Sequence, residues 1–382
     1  MPALRLTQLP RPASGGWLDA RRYWGRTSAA RVSEDSRRLV NQDGRIGVGI
    51  VGAGGIATHH LRGYLLAAEH ARVAAISDVD VRRAESLAAA AGGAQVFADY
   101  REMISSPLVD AIDICLPHHL HKDAIVAAAE AGKHVLCEKP LCLTIDEAEA
   151  VTSAVSSAGI TLMCAHNQLF LPPVGRAREM IREGTLGKIY AARTTDVFVL
   201  DIDADRLGWR GRRASSGGGE LIDTGYHPNY LLLHLIDSEP VKVAAMLSRH
   251  RLAFMEGEDT AHVMVEFADG TIGSIVTGWA YEPAGCTERF SVVGERGSLW
   301  SDGMALYHKP RGEAQIVAQQ PGPVKPDTYA LEVVDFIACL REGRRPLNTE
   351  VEGVKVLELI LAAYASAESG QIVKLNDLQV EA

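Results

Sequence analysis

The stretch Val48-Gly49-Ile50-Val51-Gly52-Ala53-Gly54-Gly55-Ile56-Ala57 limits what this chain can fold into more than any other. An apolar strand runs there into a glycine turn that opens a helix, and the spacing Gly52-x-Gly54-x-x-Ala57 fits the dinucleotide-binding fingerprint. Each small residue has a mechanical reason to be small. Gly52 permits the tight turn, Gly54 lets a pyrophosphate come close to the backbone, and Ala57 lets the helix lie tightly on its strand. Gly55 and Ile56 open that helix, whose unpaired N–H groups and positive dipole end face the phosphates. Arg72–Ser77 reads as a second strand, and Asp78 stands at its end, where a ribose-binding carboxylate is expected. Such a carboxylate accepts from both ribose hydroxyls and repels a 2′-phosphate, so the expected cofactor is NAD. Arg82 and Arg83 close behind leave NADP as the lesser alternative. The competing reading of Asp78 is the N-cap of the helix that begins near Val79.

At 382 residues the chain has room for about two domains. Its net charge of −9 argues against a nucleic-acid partner, whose phosphates demand a basic face. No apolar run approaches the length of a membrane span, so no membrane partner is expected. Cys115, Cys137, Cys142, Cys164, Cys286 and Cys339 are scattered without a C-x-x-C pair and read as reduced core residues. Residues 1–44 are rich in arginine and lack a hydrophobic period. They read as a flexible arm bearing Trp17, Tyr23 and Trp24, and the absence of a secretory apolar core leads us to expect a cytoplasmic protein.

From Arg45 the pattern alternates strand and helix. Strands are expected near Ala94–Phe97, at Ala111–Leu116, at His134–Glu138 and at Thr161–Ala165, separated by helices from Asp99, over about His119–Ala131 and over Ile145–Ala158. That grammar implies a parallel sheet with ligands outside the carboxyl ends of its strands. Past residue 170 it changes. A helix over about Pro173–Glu183, a long strand over Ile189–Leu200 and a helix over about Gly219–Leu235 precede a β-rich region. There Val263, Val265 and Phe267 alternate with polar positions, and Asp269-Gly270 turns that strand into Thr271–Thr277. Pro321, Pro323 and Pro326 mark a loop, and helices near Thr328–Arg341 and Glu350–Ser369 close the chain. The expected fold class is α/β, with an arm over 1–44, an NAD-binding Rossmann domain over 45–168, a substrate-binding and oligomerisation domain over 169–375 and a tail over 376–382.

Two motifs carry chemistry. Glu138-Lys139-Pro140 ends a parallel strand at the edge where cofactor and substrate meet, and the lysine offers a positive charge that polarises a hydroxyl or carbonyl oxygen. Asp223-Thr-Gly-Tyr-His227 has Asp and His four apart, which on a helix puts both on one face. Oxidising a secondary alcohol needs a base for the hydroxyl proton as hydride leaves the carbon, and histidine suits that task. Asp223 can bind substrate or fix the imidazole, while Lys139 stabilises alkoxide character. A solvated loop lysine and a surface i,i+4 pair are the bland alternatives.

Together these stretches resemble the glucose-fructose oxidoreductase / inositol dehydrogenase (Gfo/Idh/MocA) family. The resemblance runs through Gly52–Ala57, Pro117-His118-His119-Leu120-His121, Gly132–Pro140, Gly184-x-x-Gly187, Trp209-Arg210 and Ser216–His227, in order over about residues 45–375. It implies catalytic positions at Lys139, Asp223 and His227 and cofactor-side positions at Pro117 and Glu138, with His118 and His121 beside them. It also implies substrate contacts from Gln168, Trp209, Arg210 and Tyr226, and a second domain on a large, mostly antiparallel sheet with one open face. That face leads us to expect a homodimer or homotetramer.

Asn167-Gln168-Leu169-Phe170 and His118 depart from the residues frequent in the family. The cluster His118, His119 and His121 admits a metal reading, but a nicotinamide site supplies the simpler role and no metal is expected. Arg206, Arg210, Arg212 and Arg213 either form an anion site or are balanced by Asp196, Asp201, Asp203 and Asp205. The expected activity is NAD-dependent oxidation of a secondary ring hydroxyl of a cyclic polyol or sugar, or the reverse ketosugar reduction. The alternatives are a redox-cycling glycosidase or lyase that retains NAD, and a non-catalytic NAD(H)-sensing regulator.

Overall fold

The computed structural model describes residues 44–283, 288–313, 317–319 and 327–375. The expected arm before Gly44, the tail over 376–382, Cys286 and the loop at Pro321, Pro323 and Pro326 lie outside the described residues. Six strands, β1 (Ile46–Val51), β2 (Ala71–Ser77), β3 (Gln95–Phe97), β4 (Ala111–Ile114), β5 (His134–Glu138) and β6 (Leu162–Ala165), form a parallel sheet in the order β3-β2-β1-β4-β5-β6. The order reverses between β1 and β4, the crevice where a doubly wound sheet binds its ligand. All six residues of β1 are buried, as a parallel strand covered on both faces requires. Helices α1 (Gly55–Leu66), α2 (Val81–Ala90), α3 (Tyr100–Ile104), α4 (His121–Glu130) and α5 (Ile145–Ala158) make the crossovers. Thr144 caps α5 through Glu147 N–H and Gly159 ends it, so its bounds follow from local chemistry alone.

The second sheet holds β7 (Ile189–Val197), β8 (Pro240–Ser248), β9 (Thr260–Phe267), β10 (Ile272–Gly278), β11 (Phe290–Gly294), β12 (Gly297–Ser301), β13 (Leu306–Pro310), β14 (Val317–Gln319) and β15 (Val373–Lys374). Its order is β14-β13-β12-β11-β7-β10-β9-β8-β15, and every pairing is antiparallel except β7 with β10. After α6 (Pro172–Arg182) and the short helices α7 (Ala204–Leu207) and α8 (Arg213–Ser216) comes α9 (Tyr226–Leu235), which covers β7 and β10 where Val263, Val265, Phe267, Ile275 and Val292 face inward. Met246, Met264, Ile272 and Val293 lie exposed on the opposite face. Two further helices return to the first sheet: α10 (Thr328–Glu342) packs on α1, and α11 (Glu350–Ser369) packs on α5, α9 and β8. No helix among the described residues is long and apolar enough to cross a membrane.

Two expected elements differ from those observed. The long strand ends at Val197, and Val199 makes only a single bridge to Ala280. More consequentially, the helix expected from Gly219 begins at Tyr226. Over 220–225 the helical ladder is broken: the Glu220 oxygen accepts from Asp223 N–H at 3.1 Å and Gly225 N–H at 2.9 Å instead of making an i,i+4 bond. Glu258 holds the segment, its backbone oxygen accepting from Glu220 N–H at 2.9 Å and its carboxylate from Leu221 N–H at 2.9 Å. Gly219 makes the approach possible, since a β-carbon there would lie 2.1 Å from the Glu258 oxygen. Asp223 therefore sits in a turn and His227 on a helix, so they do not share one helical face.

The α1–α10 contact depends on Gly63, where a β-carbon would meet Val333 Cβ at 2.5 Å and the Ala330 oxygen at 2.9 Å. In Gly63→Ala the overpacking cost of about 1–3 kcal/mol is set against a helix-propensity gain of roughly 1 kcal/mol. We expect a net loss, read as a lower thermal unfolding midpoint; an unchanged or raised midpoint would contradict this packing.

Candidate active site

The glycine turn leaves β1 through Gly52, whose φ of 92° is in the left-handed region and whose β-carbon would sit 2.5 Å from the Cys115 oxygen. Beyond it, β-carbons at Gly54 and Gly55 would meet nothing within 4 Å, so the backbone there is open to a ligand. No side chain caps α1 and its first turn holds no acid, so the amides of that turn remain available to an anion. Ala57 is fully buried beneath the turn. Asp80, not Asp78, caps α2. Asp78 is thereby free to turn back to the glycine loop, where its carboxylate accepts from Ala53 N–H at 2.7 Å and Asp80 N–H at 2.8 Å. These residues fit a dinucleotide.

Glu138 and Lys139 end β5, followed by a cis peptide at Pro140. Lys139 Nζ donates to the Asp223 backbone oxygen at 2.8 Å and to Asp223 Oδ1 at 2.9 Å. Arg210 Nε donates to the other oxygen, Oδ2, at 2.8 Å, while its guanidinium lies 4.3 Å over the Trp209 ring. Burial alone would raise the Asp223 carboxyl, but Lys139 and Arg210 hold it well below the usual carboxylate range. Trp209 meets the His118 ring edge-on at 4.6 Å. His118 Nδ1 donates to the Ser216 oxygen at 3.0 Å, and burial pushes its imidazole down to about 3, so the ring is neutral.

His227 is buried, and its Nδ1 lies 2.7 Å from the Tyr230 hydroxyl. Burial first, then the charges of Lys139 and Arg289, pull the imidazole well below 6.5 against the opposing pull of Asp223. The ring is therefore neutral at physiological pH. The hydrogen-bond partner of His227 Nδ1 is Tyr230, while both oxygens of Asp223 are engaged by Lys139 and Arg210. Gln168 lines the same neighbourhood: its N–H donates to the Tyr230 hydroxyl at 3.0 Å, and its buried Oε1 has no partner.

Three expectations change. Tyr226 is fully buried with its hydroxyl on the Gly353 oxygen at 3.1 Å, so it faces α11 and not a substrate. His121 is fully buried with its ring nitrogens 2.7 Å from the Pro140 oxygen and 2.9 Å from the Leu116 oxygen, and burial keeps it neutral, so its one N–H is taken up by a loop carbonyl. The arginine loop is divided: Arg210 serves Asp223, whereas Asp196 and Asp201 pair with Arg289 and Arg251 at 2.7 and 2.8 Å, outside that loop.

His60 belongs to none of the motifs above, and its part in this architecture comes from partners on other elements. Fully buried on α1, its Nδ1 lies 3.0 Å from each Asp113 oxygen and its Nε2 3.2 Å from Glu138 Oε1, with Glu332 Oε1 at 3.9 Å. Burial opposes its charge, but Asp113 overcomes that and raises the imidazole well above 6.5. Glu138 faces the same opposition from burial, yet His60 and Lys139 hold it ionised. Glu332, with neither oxygen hydrogen-bonded, is pushed well above 4.5 by burial and stays protonated. Asp113, an acid in the middle of an apolar strand, was the available signal.

Comparison with known proteins accords with this geometry. Residues 46–166 match the model of the oxidoreductase family with an NAD-binding Rossmann fold, and residues 174–300 match the GFO/IDH/MocA C-terminal domain. The chain is 26% identical to scyllo-inositol 2-dehydrogenase (NAD(+)) of Bacillus subtilis, over 86% of this chain and 95% of that one. It is 27% identical to 1,5-anhydro-D-fructose reductase of Ensifer adhaerens, over 86% and 98%. The solved structure of a levoglucosan dehydrogenase in complex with NADH and levoglucosan superposes with a TM-score of 0.79, at 26% identity, covering 87% of this chain and 99% of that one.

The protonated state of Glu332 has a consequence for stability. Above 4.5 the unfolded glutamate is ionised and the folded one is not, so folding takes up a proton. That contribution is present below 4.5 and is lost as pH rises towards the folded value, at up to about 1.4 kcal/mol per pH unit. We expect Glu332→Gln to flatten the fall in unfolding midpoint between about pH 5 and pH 8 and to exceed the wild type at the alkaline end. Parallel pH profiles would show that Glu332 is ionised in the fold.

Proposed function

The chain belongs to the Gfo/Idh/MocA oxidoreductase family, and from that premise we propose that it oxidises a secondary ring hydroxyl of a cyclic polyol or sugar with NAD, or runs in reverse as a ketosugar reductase. Its first domain is an NAD-binding Rossmann domain. The observation that carries the reading is the 2.9 Å ion pair between Asp223 and Lys139, which follows the carboxyl end of β5, with His227 buried four residues beyond Asp223 on α9.

In this reading the pyrophosphate lies on Gly52, Gly54, Gly55, Ile56 and Ala57, the ribose on Asp78, and the nicotinamide end beside Pro117, His118 and Glu138. NAD bound there supplies the hydride acceptor. His227 takes the hydroxyl proton on Nε2, and Lys139 Nζ stabilises the oxygen as negative charge develops. Asp223 holds the Lys139 ammonium in place at two oxygen atoms. Gln168 offers its unpartnered Oε1 to a second hydroxyl, and the Trp209 face with Arg210 borders the ring. The named relatives are dehydrogenases and a reductase, so neither the redox-cycling lyase nor the NAD(H) sensor is favoured; a sensor also needs no base.

The same reading includes self-association. The exposed stripe of Met246, Met264, Ile272 and Val293 on an open sheet face supports a homodimer or homotetramer formed through the second sheet. Light scattering should report a dimer or tetramer, and Ile272→Asp should shift it towards monomer; a monomeric wild type would reject this part.

The enzymatic reading is tested by NADH formation from NAD with inositols, pyranoses, sugar phosphates and uronates, and by NADH consumption with the corresponding ketosugars. One stereochemical class should respond, and His227→Ala and Lys139→Ala should each lose about 10²-fold or more in kcat. Silence in both directions from protein that binds NAD, or near-normal turnover in either variant, would overturn it.

A further inference from the structure

Three groups surround the Tyr230 hydroxyl, and their hydrogen-bonding capacities differ. Gln168 N–H reaches it at 3.0 Å, Asn167 Oδ1 lies 3.4 Å away, and His227 Nδ1 lies at 2.7 Å. At the other end of the Asn167 amide Nδ2 donates to Thr328 Oγ1 at 3.0 Å. A threonine hydroxyl can also donate, and the flipped amide would turn Nδ2 to the phenol and the phenol proton to His227, so the His227 tautomer reports which way the amide lies. The phenol ring is held in turn by His166, which stacks on it at 4.4 Å and 9°. All of these side chains are buried.

A phenol has one proton to give and lone pairs to receive. Gln168 N–H is a donor, so it takes one acceptor direction. Asn167 Oδ1 only accepts, so the phenol proton points to it. What remains for His227 is an acceptor, and Nδ1 must carry a hydrogen to use it. The opposite arrangement, with the phenol donating to Nδ1, leaves Asn167 Oδ1 buried without a donor, at about 1–3 kcal/mol.

We propose that Tyr230, oriented by Asn167 and the Gln168 amide, is a positioning residue that fixes His227 as the Nδ1–H tautomer and so leaves the Nε2 lone pair free to take the substrate proton. The proposal rests on the reading of His227 as the base. It supplies the third member of the nucleophile–base–orienter logic, in which the group behind the imidazole decides which nitrogen works. Here that group is a neutral phenol, which burial keeps protonated. No proton leaves Tyr230 during turnover; its hydrogen stays on the bond to Asn167 while the imidazole gains a charge.

The test begins without substrate. In protein labelled with 15N-histidine, the His227 resonances are those missing from His227→Gln. They should show a protonated Nδ1 and a bare Nε2. A protonated Nε2 in the wild type overturns the proposal whatever the activity. Asn167→Leu removes the acceptor of the phenol proton while keeping Tyr230, so that proton turns to Nδ1 and the tautomer should invert. With the panel compound that yields NADH, Asn167→Leu and Tyr230→Phe should each lower kcat by about 10- to 100-fold, less than the ~10²–10⁴ that a general base contributes outright. KM should change less than about threefold. A loss shared equally by kcat and 1/KM, or an Asn167→Leu protein that retains the Nδ1–H signal and full kcat, overturns the relay. Near-normal kcat in His227→Gln instead rejects the base reading, and with it the purpose of the relay, even where the tautomer is the expected one.

Discussion

The structure turns on the ion pair between Lys139 and Asp223. It joins the end of a Rossmann strand to a turn of the second domain, 84 residues away in sequence. Burying two opposite charges is costly unless their remaining hydrogen-bonding capacity is met. Here it is met by the Asp223 backbone oxygen, which takes a second Lys139 bond, and by Arg210, which takes the outer carboxylate oxygen. The turn that presents Asp223 is closed by the Glu220 oxygen, which accepts from the Asp223 and Gly225 amides, and is held in place by Glu258 through the Glu220 and Leu221 amides. Were that turn helical, as local pattern suggests, Asp223 would rotate with the helix and the pair would depend on a different backbone.

Behind Lys139 the same economy of charge recurs. Glu138 Oε2 accepts from the Lys139 amide at 3.0 Å, and Oε1 faces His60. His60 belongs to the helix that opens at the glycine turn, and Glu332 comes from α10. One buried imidazolium thus ties the helix that follows the glycine turn, β4 and the end of β5 beside Lys139. Three carboxyls around one histidine would leave excess negative charge, and protonation of Glu332 relieves it. The glycine-turn helix and the Lys139 strand end are joined by electrostatics that no sequence window contains.

That limit decides how much was legible beforehand. The strand and helix that flank the glycine turn and the bounds of α5 could be read because each depends on residues within a few positions. His60, Asn167, Tyr230 and Glu332 could not, because each gains its role from partners brought in by separate elements. Tyr226 was expected at the substrate from the family resemblance alone. In the fold it opens α9 facing α11, and the i,i+3 pair His227 and Tyr230 meets on another side. A resemblance carries a residue's position in a motif but not the packing partner that its helix turns it towards.

A buried imidazole held well below 6.5 is an available base but a weak one, which looks unfavourable for removing an alcohol proton. In the proposed mechanism the cause of the weakness also supplies the remedy. The Lys139 ammonium is among the charges that depress His227, and it acts equally on the substrate oxygen, whose alkoxide it stabilises. Proton transfer is driven by the difference between the two acidities, and a single positive charge lowers both. Burial strengthens each interaction in the same low-dielectric surroundings. The pairing of a neutral histidine with a buried lysine–aspartate pair therefore preserves the driving force while keeping the base deprotonated across the physiological range, and it does so without requiring Asp223 to touch the imidazole.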